Sequence, residues 1–376
     1  ADLYPHIEGG LSGGRSRFSE SVESIRGRPT HATDFQASVA VPFYEIDLWG
    51  RLRRLTESAQ AQLLASEEAR KTVAISLISA VAQSYIELRD LDQQREISMR
   101  TLHSRQEFMK ITRARYENGL SSVLDVHEAE SSVARAEDTI ADIERRIGQK
   151  ENELSILLGR NPGAIPRGEA LTIHRLPPDV PAGLPSSLIE RRPDILQAEQ
   201  NLIAANANIG AAKALMFPTI SLTALFGYES SDLSNLFEGP SKIWTYAARA
   251  TVPIFTAGKN RSRVEIAEAQ QRSALLQYEQ TVQRAFREVE DALIEYKKRR
   301  EQYVAQEALV QAERKRLTLT ELRYINGITP YVDVLNAQND LFNAELSYSQ
   351  TLRARLAAVI QLYRALGGGW EEATAS

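Results

Sequence analysis

Few residues in this chain are arranged to make or break bonds. The five histidines (His6, His31, His103, His127 and His174) are scattered, and none has a His-x-x-x-His partner. Cysteine is absent, which excludes thiolate nucleophiles, disulfides and Cys-based metal sites. No Gly-x-Ser-x-Gly elbow or phosphate-cradling glycine loop occurs. The sequence therefore predicts no catalytic residue, no metal site and no cofactor, and His127-Glu128 reads as solvated helix surface. What does recur is a small set of charged and hydrogen-bonding groups. Arg115-Tyr116-Glu117-Asn118-Gly119, then Asp125-Val126 and Ala129, return as Arg323-Tyr324-Ile325-Asn326-Gly327, then Asp333-Val334 and Ala337. Such groups suit the chemistry of contacts and charge barriers rather than of a reaction.

A fixed separation of 208 residues carries Gly119 onto Gly327 and also Gly50 onto Gly258, Ala61-Gln62 onto Ala269-Gln270, and Leu158-Gly159 onto Leu366-Gly367. A spacing held without insertion over that distance implies two copies of one folding unit. No proline or glycine interrupts Arg51 to Asn118 or Lys259 to Asn326, and both stretches are rich in Ala, Glu, Gln, Arg and Leu. At about 1.5 Å per residue each predicts a helix of order 100 Å. Glycine then supplies the left-handed residue that ends a helix. Each unit thus reads as a long helical hairpin with its tip at Asn-Gly. The helices are expected at 49–117 and 122–158, then at 258–325 and 331–366.

Ahead of each hairpin the hydrophobic period changes to two. Leu3 to Leu11 is a weak strand softened by glycines, and 15–34 reads as a loop. In the next strand Phe35, Ala37, Val39, Val41 and Phe43 share a face. In the second repeat Ile220, Leu222, Ala224, Phe226 and Tyr228 share a face, as do Trp244, Tyr246, Ala248, Ala250, Val252 and Ile254. Thr245, Arg249 and Thr251 lie opposite. Aromatic and apolar residues on one side, with hydroxyls and a charge on the other, form the pattern of a lipid-facing strand over a wet lumen. The expected division is repeat 1 over 1–159 (strand hairpin 1–48, helical hairpin 49–159) and a proline-bearing connector over 160–185. Repeat 2 covers 186–376, with a helix at 186–215, strands within 216–257, a helical hairpin at 258–367 and a tail at 368–376.

With 376 residues, 43% hydrophobic, 25% charged and a net charge of −4, the composition is that of an ordinary folded protein with no basic field for nucleic acid. No apolar run reaches the length of a membrane helix; Val73 to Ala82 comes nearest and contains two serines. A membrane strand needs only about 10 alternating residues and remains allowed. No signal peptide precedes the first strand, so the chain reads as a mature or trimmed form. A closed barrel needs at least about eight strands, more than one chain supplies. Three chains would supply twelve strands and a ring of twelve helices. The fold class expected is mainly α with a β-barrel contribution from two structural repeats, assembled as a homotrimer. A soluble coiled-coil scaffold capped by the strands is the reading of a different class.

Four segments then carry a family resemblance. They are Phe43-Tyr44-Glu45-Ile46-Asp47-Leu48-Trp49-Gly50-Arg51, Leu184-Pro185-Ser186-Ser187-Leu188-Ile189-Glu190-Arg191-Arg192-Pro193-Asp194-Ile195, Pro253-Ile254-Phe255 and Leu362-Tyr363-Arg364-Ala365-Leu366-Gly367-Gly368-Gly369-Trp370. In this order they resemble the TolC-type outer membrane efflux proteins, and most of all the lipoprotein channels of resistance-nodulation-division pumps. The resemblance implies a homotrimeric outer-membrane channel reaching into the periplasm. It would be a passive exit duct for drugs or other toxic compounds, partnered by a periplasmic adaptor, an inner-membrane transporter and outer-membrane lipids. A duct for protein or peptide secretion is the alternative. Members of that branch usually carry an acylated N-terminal cysteine and a helix corresponding to 186–214 before the first strand; here the chain starts at Ala1, with Pro5 matching Pro218.

The resemblance also assigns roles. Asp333 occupies the position of an aspartate that lines the periplasmic constriction. Asn336 stands one turn on, where a second aspartate is common, which weakens the case for a double acidic ring. Asp125, Tyr324 and Arg323 are further gate candidates, Tyr324 and Arg323 by bonding across the tip. On the bland reading Asp125 and Asp333 only favour their helix dipoles and Tyr324 packs in a seam. Asn118, Gly119, Leu120, Ser121, Asn326, Gly327, Ile328 and Thr329 are the candidates for adaptor docking. Phe35, Val39, Val41, Ile220, Leu222, Phe226, Trp244, Tyr246 and Val252 would face lipid, and Arg249, Thr245 and Thr251 the lumen.

Overall fold

The computed structural model describes residues 3–19, 31–168 and 191–368. In chain order these form β1 (Glu8–Arg17), β2 (His31–Ile46), α1 (Arg51–Glu117), α2 (Val123–Leu157), α3 (Pro193–Ala214), β3 (Thr219–Ser230), β4 (Lys242–Thr251), α4 (Lys259–Ile325) and α5 (Tyr331–Ala365). The two long helices are 67 residues each and the two returning helices 35 each, so the repeat inferred from sequence is matched in element length. The chain divides into two compact units, residues 1–67 with 197–279 and residues 68–196 with 280–376.

The first unit holds an antiparallel sheet in the order β1-β2-β3-β4. Val39 pairs with Phe226, which pairs with Trp244, and Val41 pairs with Ala224, which pairs with Tyr246. Opposed residues of an antiparallel pair share a face, so Phe35, Val39, Val41, Ile220, Leu222, Phe226, Trp244 and Tyr246 fall on one side. Thr245, Arg249 and Thr251 fall on the other, beside Ser221, Thr223 and Gln36.

Three details of the strand reading are corrected. The first strand runs from Glu8 to Arg17 rather than Leu3 to Leu11, because pairing with β2 overrides its glycine content. A bulge between Val41 and Tyr44 puts Tyr44 and Ile46 opposite Leu222 and Ile220, so Phe43 leaves the apolar face. Val252 and Ile254 lie beyond the end of β4 at Thr251. Gly227 is required by close approach: a Cβ there would come within 2.2 Å of the Ala37 carbonyl oxygen.

The start of α1 is fixed by its neighbours in sequence. Asp47 accepts from the backbone N–H groups of Leu52 at 3.1 Å and Arg53 at 2.9 Å, and Glu45 takes both arms of the Arg51 guanidinium at 2.8 and 2.6 Å. Burial raises the Asp47 carboxyl, but the two N–H bonds and the Arg53 charge outweigh it and hold the group below its ordinary range. Trp49 stacks on Phe217 at 4.8 Å and donates its indole N–H to the Pro218 carbonyl at 2.7 Å, tying α1 to the start of β3.

In the second unit the helices are held by small apolar clusters and by buried polar ties. Leu88, Leu154 and Ile165 form one cluster, and Val289, Ala292, Leu362 and Ala365 another. Within α1, Ile78 is 53% exposed, while Ile75 is buried. Asp90, 2% exposed, accepts from Ser349 Oγ at 2.5 Å and Gln94 Nε2 at 2.9 Å with Arg353 Nε at 3.2 Å, which links α1 to α5. Burial pushes the Asp90 carboxyl up. Arg105 donates to the Ser132 carbonyl at 3.0 Å and to Asn339 Oδ1 at 2.8 Å, joining α1 to both α2 and α5. The helix expected from 186 is described from Pro193; residues 186–190 lie outside the described segments, as do most of the 160–185 connector and the 369–376 tail. Arg192 anchors its start, bonding Asp194 and Glu288 at 2.7 Å each and the Ala365 carbonyl at 2.9 Å.

Gly119 and Gly327 both have φ of 72°, and a Cβ at either would meet nothing within 4 Å. Gly119→Ala and Gly327→Ala should therefore carry only the left-handed backbone cost, about 1–2 kcal/mol each. Gly227→Ala, with its steric clash, should lower the melting temperature by distinctly more. Thermal unfolding of the three variants checks the order, and a harmless Gly227→Ala would contradict the strand spacing.

Candidate functional site

The two hairpin tips are built alike. At the first, Leu120 N donates to the Arg115 carbonyl at 2.8 Å and Gly119 N to that of Tyr116 at 2.9 Å; at the second, Ile328 N donates to Arg323 and Gly327 N to Tyr324, both at 2.9 Å. This bonding pair closes a helix over a left-handed residue. Asn118 and Asn326 each donate Nδ2 to the carbonyl four residues earlier, at 2.7 Å. Each of those carbonyls also accepts the asparagine's own backbone N–H, at 3.2 Å, so the side chain adds a second donor at the helix end. Leu120 and Ile328 stand out at 67% and 64% exposure, Asn118, Gly119, Asn326 and Gly327 are exposed, and Ser121 and Thr329 are half-buried.

Past the tips the repeats diverge, and the two aspartates stop being equivalent. Ser122 caps α2, and Asp125 Oδ2 accepts from Ser121 Oγ at 2.5 Å and Ser122 N at 3.3 Å, completing a capping box. The carboxylate of Asp125 is occupied by its own helix start. Pro330 precedes α5 and offers no side-chain cap. Asp333 is exposed and has no side-chain hydrogen bond or ion pair among the described residues; Asn336 is exposed one turn further on.

Tyr324 does not bond across the tip. Its ring is 3% exposed, with centroids 5.8 Å from Phe108 and 5.7 Å from Tyr331, and its hydroxyl is buried without a hydrogen-bond partner. Ala129 and Val334 complete this cluster, which joins the two hairpins. Burial, aided by Tyr324, pushes the Tyr331 phenol up to about 12, so it is neutral at any physiological pH. Arg323 is exposed and has no side-chain hydrogen bond or ion pair among the described residues. The guanidinium that does cross between tips is Arg115. It lies 4.9 Å over the Tyr324 ring and donates to the Ile325 carbonyl at 3.0 Å. Sequence reasoning passed over Arg115, although the 208-residue offset that singled out Arg323 points equally to it.

In the sheet unit the apolar face is bare. Leu11, Val39, Phe226, Trp244 and Tyr246 are 83%, 54%, 58%, 67% and 77% exposed, and Trp244 stacks on Tyr246 at 5.5 Å. A face of that composition, without helices over it, is a surface for a nonaqueous neighbour. Among the described residues no group of three or more His, Asp or Glu side chains could hold a metal ion, and no helix is long and apolar enough to cross a membrane.

The model of the outer membrane efflux protein family matches residues 1–160 and 184–368. Outer membrane protein OprJ of Pseudomonas aeruginosa is 39% identical, covering 99% of this chain and 78% of its own length. Cation efflux system protein CusC of Escherichia coli is 36% identical, covering 99% and 79%. Among solved structures, the open state of the Neisseria gonorrhoeae MtrE outer membrane channel superimposes with a TM-score of 0.87 at 31% identity, covering 98% of this chain and 81% of that one. A family match over nearly the whole length, joined to a sheet whose bare face carries stacked aromatics and to twinned helical hairpins, leads to one conclusion: the chain belongs to the outer membrane efflux protein family, a family of channels and not of enzymes.

Proposed function

We propose that three copies of this outer-membrane efflux duct join edge to edge, the four strands of each completing a twelve-stranded barrel and the hairpins a twelve-helix tunnel in the periplasm. The observation that carries this is the open sheet. Its order β1-β2-β3-β4 leaves β1 and β4 with unpaired edges, while one face is apolar and uncovered. Backbone groups cannot remain unpaired in lipid, so the edges must find strands of other copies. Two copies would give eight strands and a bore filled with side chains, whereas three leave a passage. The polar face with Thr245, Arg249 and Thr251 then lines water, and the face with Trp244 and Tyr246 meets lipid.

Export through such a duct is passive, with energy supplied by an inner-membrane transporter through a periplasmic adaptor. The repeats 1–159 and 186–376, with the connector 160–185 between them, are the units that alternate around the axis. The exposed apolar tips, Leu120 and Ile328, are the docking surface for the adaptor, with Asn118, Gly119, Ser121, Asn326, Gly327 and Thr329 around them. Asp333, with Asn336 a turn away, is the gate carboxylate. Three copies of an unneutralised carboxylate facing one narrow axis repel anions and draw cations. The contrast with Asp125, whose Oδ2 is engaged by Ser121 and Ser122 at its own helix start, supports Asp333 as the residue left for that task.

The mass of the detergent-solubilised protein should be that of three chains, and the protein should open discrete pores in planar bilayers. A stable monomer in plain buffer would contradict the barrel. Asp333→Ala should raise the conductance of the closed pore severalfold with little change in stability. Asp125→Ala should do the reverse, costing about 1 kcal/mol at the helix start and leaving conductance near that of the parent; the same conductance change in both variants would remove the distinction.

A further inference from the structure

The charges of the four strands are sorted by face. Pairing places Arg15 opposite Thr33, Gly13 opposite Phe35, and Lys242 opposite Tyr228. Opposed residues share a face, so Arg15, Arg17 and Lys242 stand on the apolar side with Phe35, Phe226, Trp244 and Tyr246. The acids of the strands, Glu8, Asp34, Glu45 and Glu229, all fall on the other side. The three cations are exposed, and none has a side-chain hydrogen bond or ion pair among the described residues. Asp232 and Glu238, in the turn between β3 and β4, pair with none of them.

These cations also sit at the two free edges: Arg15 and Arg17 on β1, Lys242 on β4, while β2 and β3 carry no lysine or arginine. Ile46 and Thr251 lead on to α1 and α4, so Arg17 and Lys242 mark the strand ends away from the helices. In the trimer proposed above, β1 of one copy meets β4 of the next. The two strands are 10 residues each, and antiparallel pairing over their full length puts Arg17 opposite Lys242 and Arg15 opposite Trp244. This register preserves the faces, with Tyr246 opposite Gly13 and Thr245 opposite Gly14. Within one chain, Tyr228 and Ala37 put Lys242 level with Leu11, six residues (17 − 11) short of Arg17. A step of that kind around the ring is what closure of a tilted barrel requires.

Like charges then meet at each seam on the face that borders lipid, where weak screening makes their repulsion costly. We propose that the phosphate of an anionic lipid headgroup, in the leaflet away from the helices, sits between Arg15 and Arg17 of one copy and Lys242 of the next and ties the two copies together. Guanidinium groups grip phosphate oxygens in pairs, and the ammonium adds a point charge. The stacked rings of Trp244 and Tyr246 set the depth, because such rings settle at the boundary between headgroups and acyl chains. The long stems of the three cations then reach the level of the phosphates. The occupant is a lipid rather than a free anion because the site opens on the apolar face, where Phe226 and Val39 offer a bed for acyl chains. This inference rests on the trimer and adds that an anionic lipid stabilises its seams.

The test reconstitutes the full-length protein in nanodiscs of phosphatidylcholine, with and without phosphatidylglycerol, and follows trimer dissociation by native mass on heating. Phosphatidylglycerol should raise the dissociation temperature by several degrees and stay bound at the seams, whereas inorganic phosphate should do neither. Arg15→Gln with Arg17→Gln and Lys242→Gln should lose the lipid-dependent rise, yet be no less stable than the parent in phosphatidylcholine, because the repulsion is relieved. Arg15→Lys with Arg17→Lys and Lys242→Arg, which keeps the charges, should retain the rise. A parent trimer that dissociates at the same temperature in both membranes would overturn the bridge and leave the trimer standing. An equal rise in the neutralised variant would overturn the assignment to these residues, and an equal rise with inorganic phosphate would overturn the lipid as its source. Absence of a trimer in either membrane would overturn the bridge and the trimer together.

Discussion

Among the described residues, the outward backbone N–H and C=O groups of β1 and β4 have no strand beyond them, and the face that β3 and β4 present with Phe226, Trp244 and Tyr246 has no cover. Either condition alone would be costly in water: a free edge invites pairing with other chains, and a bare aromatic face invites aggregation. In the proposed assembly both are satisfied at once, by a closed sheet in a lipid bilayer. The rest of the molecule follows from that demand. In the proposed trimer, long helices keep the copies of the chain in register. The 67-residue helices, free of proline and glycine, supply the length.

Duplication meets that demand economically, and it also lets one motif take different work at its two positions. Asp125 and Asp333 share a sequence context, yet Ser121 and Ser122 engage the first while Pro330 leaves the second unengaged. Arg115 and Arg323 likewise share a context, yet among the described residues it is Arg115 that has a ring and a carbonyl to bind. The same asymmetry holds in the sheet, whose inner pairing of β2 with β3 has no counterpart for β4 among the described residues.

Much of this was legible in the sequence because it depends on periodicity. Uninterrupted helix formers and the Asn-Gly pairs located α1, α4 and both tips to within a residue or two, and alternation sorted Trp244 and Tyr246 from Thr245 and Arg249. The misreadings came where long-range pairing decides. The glycines read as softening a weak strand at Leu3 to Leu11, but the strand runs on through Gly13, which lies opposite Phe35, whose ring would sit 2.9 Å from an added Cβ, so the missing side chain makes room for the neighbour's. The bulge that turns Phe43 away from the apolar face leaves no trace in a pattern of alternate residues. Tyr324 looked like a hydroxyl donor by residue type, whereas its burial among Phe108 and Tyr331 makes it a ring to be packed on and a platform for Arg115. Side-chain partners set by tertiary neighbours are the part that one sequence does not spell out.

The central claim is that the sheet is a two-faced wall with lipid on one side and water on the other. Single cysteines introduced in turn from Ile243→Cys to Thr251→Cys, in a background without native cysteine, test it directly in the membrane-embedded protein. The account predicts strict alternation. Positions 245, 247, 249 and 251 should react with a membrane-impermeant maleimide, and positions 244, 246, 248 and 250 should be shielded from it and quenched by lipid-borne spin labels when tagged with a fluorophore. Uniform reactivity along β4, with no period of two, would contradict it.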